Sequence, residues 1–137
     1  MMIMSLARGR YIGFIDDDDE ISGDYIKEIL DAIEHSPEVI TFNVNKYEKG
    51  AFYKEMRYYL NNGNHCRLSP DRSHYKMNPN HLCIWRKDIL HEEFQSIQVG
   101  EDHRWGEMMT KHYTSTHNID KVLYYYKSNK DKTETRK

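Results

Sequence analysis

Cysteine is scarce in this chain. There are two, Cys66 and Cys83, too few for a disulfide framework, and the expected setting is reducing and cytoplasmic. Long apolar runs are also missing. No stretch approaches the roughly 18 to 20 apolar residues that a membrane span needs, so any membrane association is expected to be peripheral. The opening MMIMSLARGR puts its apolar residues before its basic ones, the reverse of a secretory signal. Neither sign of charge dominates. Lys plus Arg number 20 and Asp plus Glu 22, a formal net charge of -2. That balance argues against a protein that coats nucleic acid or binds membranes through a polybasic surface. Proline (3) and glycine (7) are sparse. The sequence shows no internal repeat and no Gly/Ser/Pro linker.

What is present fits one domain of 137 residues. Hydrophobic residues make up 38% and the mean hydropathy is -0.92, both low for a globular protein. Eleven Tyr, two Trp and seven Met supply much of the missing apolar area. The expectation is a modest core suited to pairing with another chain.

The elements read as follows. Arg10 to Ile15 (RYIGFI) is a short apolar run, expected to be a buried strand. Five acidic residues, Asp16 to Glu20, follow at once. Ser22, Gly23 and Asp24 then mark a helix start, and Pro37 its stop. Between them Tyr25, Ile26, Ile29, Leu30 and Ile33 fall on one helical face. Val39 to Val44 alternates like a second strand. The stretch 45–79 is polar and resists assignment; Tyr53 to Leu60 suits a helix and Asn61 to Asn64 a turn. Residues 81–86 suit a strand, 87–94 a short helix or turn, 101–112 a helix and 122–126 a last strand. The polar residues 128–137 are expected to form a mobile tail beyond a domain of residues 1–127. Alternating strands and helices point to an α/β domain.

Four aspartates in series are the most specific feature. Adjacent carboxylates repel one another, so packing them at a strand end costs stability unless a cation or hydrogen-bond donors sit there. Their oxygens suit Mg²⁺, Mn²⁺ or Ca²⁺. On an extended chain Asp16 and Asp18 would point one way and Asp17 and Asp19 the other. An EF-hand beginning at Asp18 would place Gly23 correctly but puts Ile29 where a bidentate Glu is required. A solvated acidic loop is the plain alternative. Placement after a buried strand favours a ligand site, because open α/β sheets gather ligands at the carboxyl ends of strands.

Ala7 to Asp19 (ARGRYIGFIDDDD) resembles the segment A-x-G-x-Y-I-x-F-L-D-x-D-D of family 2 glycosyltransferases, which have the GT-A fold. Val39 to Tyr47 is similar to the strand after their first helix. Ile84 to Leu90 (IWRKDIL) looks like their "lyrkdll" segment. Gly100 to Asp102 (GED), with Trp105 after it, resembles their G-E-D-x-x-F/W motif. Leu123 to Lys127 (LYYYK) resembles their closing strand. The five occur in the family's order. Family members begin with a β-α-β unit that binds the nucleotide base, and this chain starts just before the Asp motif. The resemblance therefore implies a partial GT-A domain, a mixed sheet flanked by helices that resembles the carboxyl-terminal part of the family fold.

The resemblance also implies roles. Asp18 matches the second Asp of the D-x-D motif and would ligate Mg²⁺ or Mn²⁺, with Asp19 a further metal candidate. Asp16 and Asp17 would lie on the nucleotide side, and Lys130 of the tail would close over the diphosphate. Asp102 would be the general base of an inverting transfer, with Glu101 the alternate. The implied partners are a nucleotide-sugar donor, a glycan, lipid or other hydroxyl acceptor, and a second copy of the chain or a complementing amino-terminal half; nucleic acid is not among them. A non-catalytic remnant or a divalent-cation-binding interaction domain is the alternative. His65, Cys66, His81 and Cys83 match no zinc spacing.

Overall fold

The structure, a computed structural model, describes residues 2–6, 9–59, 67–79, 81–89 and 115–128. The elements expected at 101–112 and in the tail lie outside the described residues. Two strands open the fold, β1 (Met2–Leu6) and β2 (Tyr11–Ile15). A two-residue strand β3 (Glu20–Ile21) leads to helix α1 (Tyr25–Ile33). Strands β4 (Val39–Glu48), β5 (Ala51–Tyr58), β6 (Arg67–Leu68), β7 (Tyr75–Met77) and β8 (Ile84–Arg86) follow, then a 3-10 turn at Lys87–Ile89. Strand β9 (Thr116–Ser128) closes the described chain.

Among the described residues all nine strands join one mixed sheet. β4 is its spine. One edge of β4 pairs antiparallel with β8 at Val39 and Ile40 and with β5 from Val44 onward. The other edge pairs parallel with β9 along its whole length. β2 bonds β8, and β1 covers the outer edge of β2.

The first six residues of β4 are buried whichever face they point to, which is the pattern of a strand covered on both sides rather than a half-exposed one. Two of them are polar, and β9 bonds one side-chain atom of each, leaving Asn43 Oδ1 buried without a partner. Asn118 Nδ2 donates to Thr41 Oγ1 at 2.7 Å, and Asn43 Nδ2 donates to Asp120 Oδ1 at 3.2 Å. Around this spine pack Trp85, Tyr11, Tyr25, Phe42, Ile40 and Ile84, all within 1% of full burial.

Helix α1 sits against the sheet through Tyr25, Ile29, Ala32 and Ile33. The Tyr25 ring meets Phe42 edge-on at 5.6 Å. The expected apolar face is narrower than its sequence spacing implies, because Ile26 and Leu30 remain 39% and 43% exposed. The helix ends where Ser36 turns to a φ of 51° before Pro37, whose carbonyl accepts the Tyr11 hydroxyl at 2.6 Å.

The largest correction falls in the unassigned stretch. Residues 51–58 form a strand, not the helix expected from Tyr53 onward. The cause is the turn before it. Lys49 and Gly50 both have positive φ, 54° and 84°, as a two-residue type I′ hairpin requires. That turn folds β5 back onto β4 in the register Glu48↔Ala51 and Tyr47↔Phe52. Three other strands, β1, β6 and β7, carry too few residues or too little alternation to be read beforehand. Among the described residues, no helix is long and apolar enough to cross a membrane.

Candidate active site

The acidic run leaves the carboxyl end of β2 as a turn. The Asp19 N–H donates to the Asp16 carbonyl at 3.0 Å. The expected alternation of Asp16 with Asp18 against Asp17 with Asp19 therefore does not hold, since a turn brings first and fourth residues together. Asp16 and Asp19 converge on one side chain, Tyr124 of β9. Its hydroxyl accepts the Asp16 N–H at 3.1 Å and donates to Asp19 Oδ2 at 2.6 Å. The second Asp19 oxygen accepts the Lys127 N–H at 2.9 Å. Asp17 and Asp18, at the tip, are exposed.

The local electrostatics follow from this geometry. Burial pushes the Asp19 carboxyl above its ordinary value, and the bonds from Tyr124 and Lys127 offset part of that rise. Burial and the Asp19 carboxylate together push the Tyr124 hydroxyl up, so it stays a donor at any ordinary pH. Asp16 behaves oppositely. The contact with the His81 ring, an ion-pair distance of 3.8 Å from Nε2 to Oδ2, holds its carboxyl below the ordinary value against the pull of burial. His81 lies in the turn that precedes β8. The β2–β8 ladder, which pairs Tyr11 with Arg86 and Ile12 with Trp85, sets that turn alongside the end of β2.

Asp18 opens onto a hollow of about 680 Å³. Glu20 of β3, Tyr47 and Lys49 from the β4–β5 hairpin, and Tyr125 and Lys127 of β9 form its other walls. Lys127 Nζ is paired with Glu20 Oε2 at 2.9 Å. The mouth thus carries carboxylates and ammonium groups side by side. Carboxylates suit a hard cation and ammoniums suit phosphate oxygens. Asp19 has both oxygens committed to the protein, and among the described residues no three His, Cys, Asp or Glu side chains converge on one point. That donor set fits a cation that takes one or two carboxylates and completes its shell from phosphate and water, as Mg²⁺ does. It does not fit an all-protein cage.

The structure thus brings Asp16, Asp18 and Asp19 into one turn and gives them different surroundings. Glu101, Asp102 and Lys130 lie outside the described residues, as do His65 and Cys66. His81 and Cys83 are buried. Sequence reasoning missed Tyr124, His81, Tyr47 and Lys49. Only the strand pairings place them beside the acidic turn, although the three tyrosines of LYYYK already marked β9 as unusual.

A mixed sheet with α1 on one face and an acidic turn at a strand's carboxyl end, opening on a hollow, is the layout of a partial GT-A domain. Residues 1–94 match the family described as Glycosyl transferase family 2. That is more than half of the chain, and the chain belongs to this family. Among solved structures it is similar to the crystal structure of S. aureus TarS 1–349, at a TM-score of 0.57 and 17% sequence identity. The likeness covers 89% of this chain and 37% of that one, so the chain spans little more than a third of its length. At that identity the likeness speaks to fold. No curated protein matches this chain.

Proposed function

We propose that this chain carries the cation- and diphosphate-binding part of a sugar-transferring site, moving a glycosyl group with inversion from a nucleotide diphosphate donor to a hydroxyl acceptor. One observation carries the reading: the turn Asp16–Asp19 is fixed by Tyr124 and Lys127 so that Asp18 faces a hollow walled by Lys49 and Lys127. Asp18 would hold Mg²⁺ or Mn²⁺, whose positive charge would neutralise a departing diphosphate. Asp16, kept ionised beside His81, orients the nucleotide side of the donor. Asp17 stands at the solvent side of the same turn. Asp19 holds the turn in shape. Lys49, Lys127 and, from the tail, Lys130 attract phosphate oxygens. Asp102, with Glu101 as alternate, takes the acceptor proton. Contacts to the donor base come from a complementing β-α-β unit or a partner chain.

Isothermal calorimetry with UDP and GDP, with and without Mn²⁺, tests this. Binding that requires Mn²⁺ and is lost in Asp18→Asn supports the reading. Cation binding without any nucleotide binding supports a non-catalytic remnant and rejects it. Transfer at the wild-type rate in Asp102→Asn rejects the assignment of the base.

A further inference from the structure

The hairpin β4–β5 carries large aromatic side chains that the core does not use. Phe52 is 57% exposed, the most of any large hydrophobic residue among those described. It pairs across the hairpin with Tyr47, ring centroids 5.9 Å apart and edge-on. Tyr47 in turn meets Tyr125 of β9 at 6.4 Å. Tyr125 and Tyr47 wall the hollow beside Asp18. The three rings therefore form a line that starts in the hollow and crosses the sheet from β9 over β4 to β5. None of the three belongs to the buried core.

The remaining tyrosines of this sheet region are accounted for differently. Tyr53 and Tyr126 flank the Lys46 ammonium at 5.5 and 5.4 Å, and Tyr53 and Tyr75 flank Lys54 at 5.6 and 4.5 Å. Those rings stack on cations of the chain itself. Among the described residues no cation lies over Tyr47, Phe52 or Tyr125. A line of rings outside the core, half-buried at Tyr47 and Tyr125 and exposed at Phe52, is the informative kind of apolar surface.

We infer that Tyr125, Tyr47 and Phe52 are the acceptor platform of the proposed site, and that the acceptor is a saccharide chain. The inference rests on the glycosyl-transfer reading and names its acceptor class. A pyranose presents an apolar C–H face to an aromatic ring and hydroxyls around its rim. The rings supply the first partner. Glu20 and the tyrosine hydroxyls supply the second. Each ring-to-ring step is comparable to one sugar unit, so the terminal unit sits against Tyr125 and Tyr47 and the next lies over Phe52. A lipid chain needs a continuous apolar channel. Here Lys49, Lys127, Asp18 and Glu20 interrupt the wall, and burying them against hydrocarbon is costly.

Ligand-observed NMR with malto- and chito-oligosaccharides of increasing length tests the platform, with a short polyprenyl phosphate in detergent as the rival probe. Affinity should rise about fivefold to tenfold between the single sugar and the trisaccharide, the scale of one added aromatic contact. Phe52→Ala should remove that gain without lowering the melting temperature, because the side chain is exposed, and Phe52→Trp should restore it. No dependence on chain length in either series, or an unchanged gain in Phe52→Ala, overturns the inference. So does Phe52-dependent binding of the polyprenyl phosphate with no saccharide binding. The two readings fail separately: wild-type protein that binds saccharides with length dependence but no nucleotide with Mn²⁺ rejects the donor site and leaves the platform standing.

Discussion

The Tyr124 hydroxyl donates to Asp19 Oδ2 at 2.6 Å while accepting the backbone N–H of Asp16 at 3.1 Å. One oxygen from the far end of the chain thereby closes both ends of the acidic turn. Without it, the turn would keep its own backbone bond, the Lys127 N–H on Asp19 Oδ1 and the His81 contact of Asp16. Tyr124→Phe keeps the ring in its buried place and deletes this oxygen. A hydrogen bond to a charged group contributes about 1.5 to 3 kcal/mol, and urea unfolding should show a loss of that order. The Asp19 carboxyl, already raised by burial, should rise further once its donor is gone. The deficit should therefore shrink as pH falls and Asp19 takes up a proton. Equal stability of Tyr124→Phe and wild type at pH 7 would show that the clasp contributes nothing.

Gly13 lies in β2, where the sheet leaves no room for a side chain. A Cβ there would come within 2.6 Å of Ile84 Cδ1. Ile84 is fully buried and cannot swing aside. Gly13→Ala should cost about 1 to 3 kcal/mol, the usual scale of overpacking. Ile84→Val removes the offending methyl, so the double variant should recover a part of the loss. A double variant with strictly additive losses would place the strain elsewhere.

Asp71 organises the link between β6 and β7. Its Oδ1 accepts from the Ser69 hydroxyl at 2.7 Å, the Ser73 hydroxyl at 2.8 Å and the Ser73 N–H at 3.0 Å. These donors hold its carboxyl well below the ordinary value of 3.8. A carboxyl lowered on folding stabilises the native state fully above its unfolded pKa, and that contribution is lost as pH falls through the folded value. Asp71→Asn should melt earlier than wild type at pH 5 to 7, and the gap should close as the pH falls well below 3.8. A gap independent of pH would mean that shape, not ionisation, is what Asp71 supplies.

Much of the outline was open to reading from the residues. The buried strand before the aspartates, the helix between Ser22 and Pro37, and the final strand with its tyrosines all follow from periodicity and stop signals. The failures have physical causes. Residues 53–60 are rich in good helix formers, and local propensity says nothing of a β4 edge waiting to be paired. On α1 the apolar stripe was wide enough to face the sheet in more than one way, and packing chose the side with Ala32 over the side with Ile26 and Leu30. At the site, alternation along an extended chain was the wrong rule, because Asp16–Asp19 is a turn. The partners that give Asp16 and Asp19 their surroundings, Tyr124 of β9 and His81 of the turn before β8, lie far away in the chain, and no spacing rule connects them.

The hairpin turn ties the fold to the site. Gly50 has a φ of 84°, and a Cβ there would meet nothing within 4 Å, so any penalty for Gly50→Ala is backbone strain alone. That strain is about 1 to 2 kcal/mol for a residue with a side chain in the left-handed region. Gly23 is the control, since a Cβ there also meets nothing and its φ lies outside the left-handed range; Gly23→Ala should be close to neutral. Relief of the strain in Gly50→Ala requires a different turn, and a different turn shifts Tyr47 relative to Phe52, since a slip of one residue moves a side chain to the other face. Gly50→Ala should accordingly lower both the unfolding midpoint and the length-dependent affinity for oligosaccharides, whereas Gly23→Ala should leave both as in wild type. If Gly50→Ala loses stability but binds saccharides like the wild type, the ring line does not depend on the hairpin register.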